Sequence, residues 1–273
     1  MEKGKIIFVL LLVLLFVFLV YAALRGTNQE KLKFYFFNAG KADSCVITYR
    51  DQTILVDTGE ENLASTIQNY LNAHNITTID YFIITHFDKD HVGSAAAILQ
   101  NFDVSNVLQS NFPKESEYYT NYLNALREKD ITPITVTSDM EFAVDGLEFV
   151  VNGPEKVYET DESNNSSLIT KIVYGDHRFL LLGDAENDRL KDYLSTHTEE
   201  YDLIKVPYHG NYQKQDKTLF EITKPKYAVV STSSAVLDDK LIQILEDYEI
   251  SYYVTMDGDI LVQSDGSKMK IRH

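Results

Sequence analysis

The sequence predicts an α/β fold: a four-layer αββα sandwich, two sheets face to face with helices outside, behind an N-terminal transmembrane helix. Three observations predict it. The chain after residue 32 falls into two β-rich halves, each opening on strand pairs and continuing in strand and helix alternation. Four short apolar runs end in turns that carry aspartate, histidine or glycine. Residues 6–24, "IIFVLLLVLLFVFLVYAAL", form a 19-residue stretch without a charge.

A helix of that length rises about 28 Å, close to the roughly 30 Å hydrocarbon core of a bilayer. Residues 1–24 are therefore expected to be a membrane anchor or signal segment, and residues 25–32 a polar linker. A cleaved signal peptide is the alternative, with "VYA" before Ala23 as its cleavage site, although such apolar cores normally run only about 7–15 residues. Lys3 and Lys5 before the span are matched by Arg25, Lys31 and Lys33 after it, so the positive-inside rule does not orient it. A span on a short positive leader is the usual export signal. The expectation is a single-pass protein of the cell membrane with its domain outside, or a secreted one if the segment is cleaved.

Residues 33–273 read as one domain, with no Pro/Gly/Ser-rich hinge. The first half opens with "KFYFFN" (33–38), "SCVITY" (44–49) and "TILVD" (53–57), β-type runs separated by short turns. A helix follows, with Leu63, Ile67, Tyr70 and Leu71 on one stripe. "YFIIT" (81–85) is a fully apolar strand, "SAAAILQNF" a helix, "NVLQS" a strand and "SEYYTNYLNALREKD" a helix. The second half reads "LEFVVNG", "SLITKIVYG" and "RFLLLGD" as strands, "ENDRLKDYL" as a helix, and "DLIKVPY" and "YAVVSTS" as strands. Residues 236–248 form an amphipathic helix, and "SYYVTM", "DILVQS" and "KMKIR" close the chain as strands.

The chain carries 25 basic and 41 acidic residues, net −16. Without Lys3, Lys5 and Glu2 of the leader, 23 basic residues face 40 acidic ones. A domain this acidic repels polyanions as a whole, which weighs against tight DNA binding but not against cleavage of a phosphodiester. The one cysteine, Cys45, excludes an internal disulfide and reads as a core residue.

The chemistry collects where strands end, as loops on a rigid scaffold do. "VDTG" (56–59), "THFDKDHVG" (85–93), "LLLGDAE" (180–186) and "VPYHGN" (206–211) bring forward His86, Asp88, Asp90, His91, Asp184 and His209 as candidate metal ligands, with Asp57 nearby. Asp184 before alanine, or His209 alone, would pass as an ordinary turn or satisfied residue. Two histidines and two aspartates within six positions, His86 to His91, would not. His74, His177, His197 and His273 lie in polar loops, helix ends or the terminus and read as uninvolved.

On these residues the domain resembles the metallo-β-lactamase-fold hydrolases, whose signature is His-x-His-x-Asp-His after a strand. It is most similar to the C-terminal hydrolase domain of the ComEC-type DNA-uptake competence proteins, which carry His-x-Asp-x-Asp-His; "HFDKDH" fits position for position. The resemblance covers most of residues 34–271, with "FFNAGKADSCVI", "LVDTG", "NNSSLI", "LLLGD", "IKVPYHG", "YAVVSTSS" and "YYVTMDGDILVQSDG" in the same order. It implies a metal site of Asp90, His91, Asp184 and His209, and a second ion on His86 and Asp88 with Asp184 bridging. It further implies Asp57 as the group that orients a ligand, Asn164 and Ser167 as supports of the floor, and Asp90 and His209 as the catalytic pair. The chain departs from the pattern in three places. "ESNNSS" holds no histidine where many members have one, Tyr208 replaces a histidine, and Asn211 replaces a serine.

Carboxylate ligands suit harder ions than imidazole-rich zinc sites do. One or two divalent ions are expected, manganese favoured over zinc. A metal pair stabilises both the attacking and the leaving oxygen of a phosphodiester. The resemblance therefore implies a membrane-anchored, extracytoplasmic phosphodiesterase or nuclease, with the membrane and a phosphodiester such as DNA as partners; no protein partner is indicated. The alternatives are hydrolysis of another ester, a lactone or a β-lactam on the same fold, or a catalytically silent binding domain.

Overall fold

Alternating and apolar runs pair into two sheets in the computed structural model, which describes residues 13–16, 30–160, 162–233 and 236–273. The first sheet contains β1 (Leu32–Phe36), β2 (Cys45–Tyr49), β3 (Gln52–Val56), β4 (Thr78–Ile84), β5 (Asp103–Gln109), β6 (Ile134–Thr135), β14 (Ile260–Ser264) and β15 (Met269–Arg272), in the order β15-β14-β1-β2-β3-β4-β5-β6. The second contains β7 (Asp139–Val144), β8 (Leu147–Asn152), β9 (Ile169–Tyr174), β10 (His177–Leu181), β11 (Leu203–Lys205), β12 (Tyr227–Val230) and β13 (Ser251–Val254), in the order β13-β12-β11-β10-β9-β8-β7.

Successive strand residues point to opposite faces, and three apolar layers follow. Phe34 and Phe36 of β1, Ile54 of β3, Phe149 of β8, Phe179 of β10 and Val229 of β12 fill the layer between the sheets. Leu55, Phe82 and Val107 turn outward from the first sheet onto α1 (Ala64–Ala73), α3 (Ala95–Asn101) and α4 (Glu117–Glu128), through Ile67, Leu71, Ile98, Tyr122 and Leu126. Leu180, Ile204 and Ala228 turn outward from the second onto α6 (Asn187–Thr196), α7 (Asp216–Thr223) and α8 (Asp239–Asp247), through Leu190, Leu219, Phe220 and Leu245. The order helix, sheet, sheet, helix is the predicted sandwich. Two further short helices, α2 (Lys89–Val92) and α5 (Glu162–Asn165), belong to the site.

The pairing pattern positions the chemistry. β3, β4, β5 and β6 run parallel, as do β10, β11, β12 and β13; the remaining pairs are antiparallel. Parallel neighbours deliver their C-terminal ends to one edge. The loops after β3, β4, β10, β11 and β12 carry "VDTG", "THFDKDHVG", "GDAE", "PYHGN" and Ser231.

Leu32–His273 form one compact unit. Of the expected membrane span, residues 13–16 are helical with exposed side chains, and the rest lies outside the described residues. Among the described residues no helix is long and apolar enough to cross a membrane. Five elements were not expected from the sequence: β6, the edge strand β7, α7, and the short helices α2 and α5. His177 is not in a polar loop; it starts β10, is buried, and pairs Nδ1 with Ser264 Oγ at 2.7 Å.

Candidate metal centre

Backbone hydrogen bonds stitch the loops together before any side chain acts. Asp43 N donates to Asp90 O (3.0 Å), Gly59 N to Asp43 O (2.8 Å), and Thr58 N to His91 O (2.7 Å). Gly93 lets "DHVG" meet "VDTG" closely, since a Cβ there would stand 2.3 Å from Lys89 O and 2.7 Å from Gly59 O. Asp57, Tyr208 and His209 all adopt left-handed backbone conformations, with φ of 55°, 50° and 53°. Such conformations cost of order 1–3 kcal/mol each and persist where the surroundings impose them, typically at functional sites.

Two histidines are held alike. His91 Nδ1–H donates to Asp57 Oδ2 at 2.8 Å, and Asp57 is itself fixed by Thr85 N (2.8 Å) and Thr85 Oγ1 (2.7 Å). His209 Nδ1–H donates to the Ser231 carbonyl at 3.2 Å and lies 3.5 Å from Asp43 Oδ1. Both rings thereby turn Nε2 to a common point. The two Nε2 atoms are 3.4 Å apart; Asp184 Oδ2 is 3.0 Å from that of His209, and Asp184 Oδ1 is 3.3 Å from that of His91. Asp90 Oδ2 lies 3.5 Å from His209 Nε2 and 3.7 Å from Lys41 Nζ. His86, whose ring centre is 4.0 Å from that of His91, lies beside Asp90, His91, Asp184 and His209, and all five are buried.

Asp43 was not among the predicted ligands. Its carboxylate lies within 4.8 Å of ligand atoms of His91, Asp184 and His209. It faces the Nδ1 side of His209, however, and accepts a hydrogen bond from Lys205, which also donates to Gly183 O at 3.2 Å. Asp43 thus places a negative charge 3.5 Å behind His209, whose Nδ1–H goes to the Ser231 carbonyl, whereas Asp57 accepts the Nδ1–H of His91 itself. Lys205 is a lone cation at the end of an apolar strand, and such a residue needs a buried counter-charge; that signal was open to sequence reading, but its partner 162 positions away was not.

The other predicted residues occupy the rim and floor. Ser167 Oγ accepts from Asp184 N (3.1 Å) and lies 3.3 Å from His86 Nδ1. Asn164 Nδ2 donates to Glu186 Oε1 at 2.6 Å, while Asn165, which sequence reading passed over, accepts from Glu186 N and Arg189 N at the start of α6. His86 Nε2 is buried without a hydrogen-bond partner, 3.9 Å from Asp88 Oδ1. Asp88 stands on the rim, accepting hydrogen bonds from Lys114 and Ser163. A cleft of about 480 Å³ opens above the cluster, bordered by Lys41, Lys89, Lys114, Tyr118, Asn164 and Tyr208.

The electrostatics suit a cation. Burial opposes charge on His91 and His209, yet Asp184 with Asp57 pushes His91 upward, and Asp184 with Asp43 raises His209 to about 10. Burial likewise opposes charge on Asp184, but the two histidines hold it well below the usual carboxylate range. His86 lacks such carboxylate backing, and burial followed by the charge of His91 lowers it to about 4. The converging Nε2 atoms of His91 and His209 with the carboxylates of Asp90 and Asp184, whose Oδ1 lacks a hydrogen-bond partner, form a mixed N/O donor set that fits a divalent ion. Such an ion would displace the protons that otherwise balance the cluster.

Comparison with known proteins agrees. A family model described as the Metallo-beta-lactamase superfamily matches residues 38–234. ComE operon protein 3 of Bacillus subtilis is 27% identical over 190 residues, covering 66% of this chain and 24% of that protein. Competence protein ComA of Neisseria gonorrhoeae is 21% identical over 204 residues, covering 73% and 27%. The chain thus spans about a quarter of the length of these relatives. Among solved structures, the metallo-beta-lactamase fold protein YhfI from Bacillus subtilis superposes with a TM-score of 0.61 at 11% identity, covering 85% of this chain and 100% of YhfI. CmlA, a diiron beta-hydroxylase from Streptomyces venezuelae, superposes at 0.50 and 16% identity, covering 82% and 52%. These likenesses establish the fold, and a hydroxylase among them shows that the fold does not set the reaction. The chain belongs to the Metallo-beta-lactamase superfamily and is related to the ComEC-type competence proteins.

Proposed function

We propose that the chain is a metal-dependent phosphodiesterase or nuclease, anchored in the cell membrane by residues 6–24 with its domain on the outer side. The observation that carries this reading is the convergence of His91 Nε2, His209 Nε2 and the Asp184 carboxylate at the foot of a cleft bordered by Lys41, Lys89 and Lys114. Lys41, Lys89 and Lys114, each beside a carboxylate, balance Asp88, Asp90 and Asp184 in the cleft lining, so that a bound divalent ion would make the site attractive to an anionic substrate.

Asp90, His91, Asp184 and His209 would hold the ion, which when bound supplies Lewis-acid polarisation of the phosphoryl group. Asp57 behind His91 and the Ser231 carbonyl behind His209 keep the two imidazoles in the tautomer that leaves Nε2 free. Of the four residues that would hold the ion, Asp90 has the most exposed carboxylate, 12% of its side chain, and would align an attacking water by accepting its hydrogen bond. His209 is wholly enclosed, so it orients Asp184 and Asp90 and leaves protonation of the departing oxygen to water in the cleft. The remaining N–H groups of the cleft lysines, each also beside a carboxylate, would reach the non-bridging oxygens. DNA is the polymer to test first, because two relatives are named for competence or its operon; the acidic surface favours short phosphodiesters over long duplexes.

The test strips the full-length chain of metal and reloads it with Mn²⁺ or Zn²⁺. It is then assayed on bis(p-nitrophenyl) phosphate, single- and double-stranded DNA, and a β-lactam. Turnover of the diester, higher with Mn²⁺ and lost in His91→Ala, is the expected outcome. Silence on every phosphodiester with either metal contradicts the proposal, and turnover of the β-lactam alone favours the other hydrolase class.

A further inference from the structure

The His86 side of the cleft is built differently from the His209 side, and the difference gives Lys114 a role. Asp88 Oδ1, the carboxylate oxygen 3.9 Å from His86 Nε2, already accepts from both the Lys114 ammonium and the Ser163 hydroxyl. Lys114 Nζ also lies 3.4 Å from Ser163 Oγ. The segment that could add a ligand, "ESNNSS", contributes none: Ser163 is engaged with Asp88, and Asn164 with Glu186 at 2.6 Å. An ion here would meet His86 Nε2, a shared Asp184, and an oxygen held by a fixed positive charge. Divalent ions in protein sites usually take four or more ligands.

We propose that this chain works with one divalent ion, on the Asp90, His91, Asp184 and His209 side, and that the Lys114 ammonium stands in for a second. Lys114 borders both the cleft over Asp184 and an adjoining recess lined by Phe112, Pro113 and Glu162. An ammonium has three N–H donors; Asp88 takes one, Ser163 Oγ a second at 3.4 Å, and the third remains for a non-bridging phosphate oxygen. It supplies charge where charge develops without needing a ligand shell. Asp88 then positions Lys114 and is not a metal ligand. The substrate contact rests on the phosphodiesterase reading; the ion count does not.

The test is calorimetric titration of the metal-free full-length chain with Mn²⁺, with bound metal counted by elemental analysis. The wild-type chain should take one ion. Lys114→Ala frees Asp88 and should admit a second, weaker ion at millimolar Mn²⁺, while Lys114→Arg stays at one. At micromolar Mn²⁺, Lys114→Ala should raise KM for a small phosphodiester roughly tenfold, with Lys114→Arg restoring most of it. Two ions in the wild-type chain, one of them lost in His86→Ala, would overturn the proposal. So would one ion in Lys114→Ala, or an unchanged KM. Failure to cleave any phosphodiester would strike the functional reading and leave the ion count to be read by itself.

Discussion

On one side of the cleft, His91 Nδ1 is backed by the Asp57 carboxylate and His209 Nδ1 by the Ser231 carbonyl, with Asp43 3.5 Å away, and each Nε2 faces Asp184. On the other, His86 has only the hydroxyls of Thr85 and Ser167 beside Nδ1, and an Nε2 without a partner. A carboxylate behind an imidazole fixes its tautomer and raises its basicity as a ligand; a hydroxyl does so far less. The same two residue types, histidine and aspartate, are thus made into strong donors in one place and left as weak ones 4.0 Å away, the separation of the His86 and His91 ring centres.

Changes on the strong side should have the largest effects. Asp184→Asn removes the carboxylate that both Nε2 atoms face and should lower phosphodiester turnover by roughly a thousandfold with Mn²⁺ loaded, read as kcat/KM. Asp57→Asn keeps the volume but can present an N–H to His91 Nδ1 and invert its tautomer. Metal affinity should fall about 10–100-fold by calorimetry, with the fold retained by circular dichroism. If Asp57→Asn binds metal like the wild type, the carboxylate behind His91 is not what distinguishes the two sides.

A buried carboxylate outside the site sharpens the contrast. Asp216, at the start of α7, accepts from Gln213 N at 2.7 Å, but its Oδ1 has no partner. Burial, with the charge of Asp238 adding, raises it to about 7, whereas cations keep Asp184 low. Because its folded-state pKa lies above the unfolded value, its stabilising contribution is complete below about pH 4 and lost as pH rises through about 7. Asp216→Asn should therefore raise stability at pH 8 by about 2–4 kcal/mol, and by little at pH 4, in urea unfolding. An equal gain at both pH values would mean that the carboxylate is not strained by burial.

Much of this was legible in the sequence because it is local. "YFIIT" and "RFLLLGD" are apolar runs that end in ligands, and the strong-side residues sit directly after β4, β10 and β11. What escaped was tertiary. Asp43 and Lys205 meet across 162 positions, and Lys114 and Asp88 across 26, with nothing in either neighbourhood to announce the pairing. Edge strand β7 alternates exposed and half-buried residues around an Asp145–Gly146 turn, both with positive φ. Asp-Gly between two β-type runs is a hairpin signal that was present and unused. Helix α7 is only eight residues long, too short for its stripe of Leu219, Phe220 and Thr223 to stand out before the sheet beneath it is known.

The inequality of the two sides is tested most directly by the Mn²⁺ affinity of His91→Ala and His86→Ala, measured in parallel on the full-length chain. His91→Ala should weaken binding by roughly a hundredfold or more, and His86→Ala by no more than about threefold. Equal losses in the two variants, or the larger loss in His86→Ala, would contradict it.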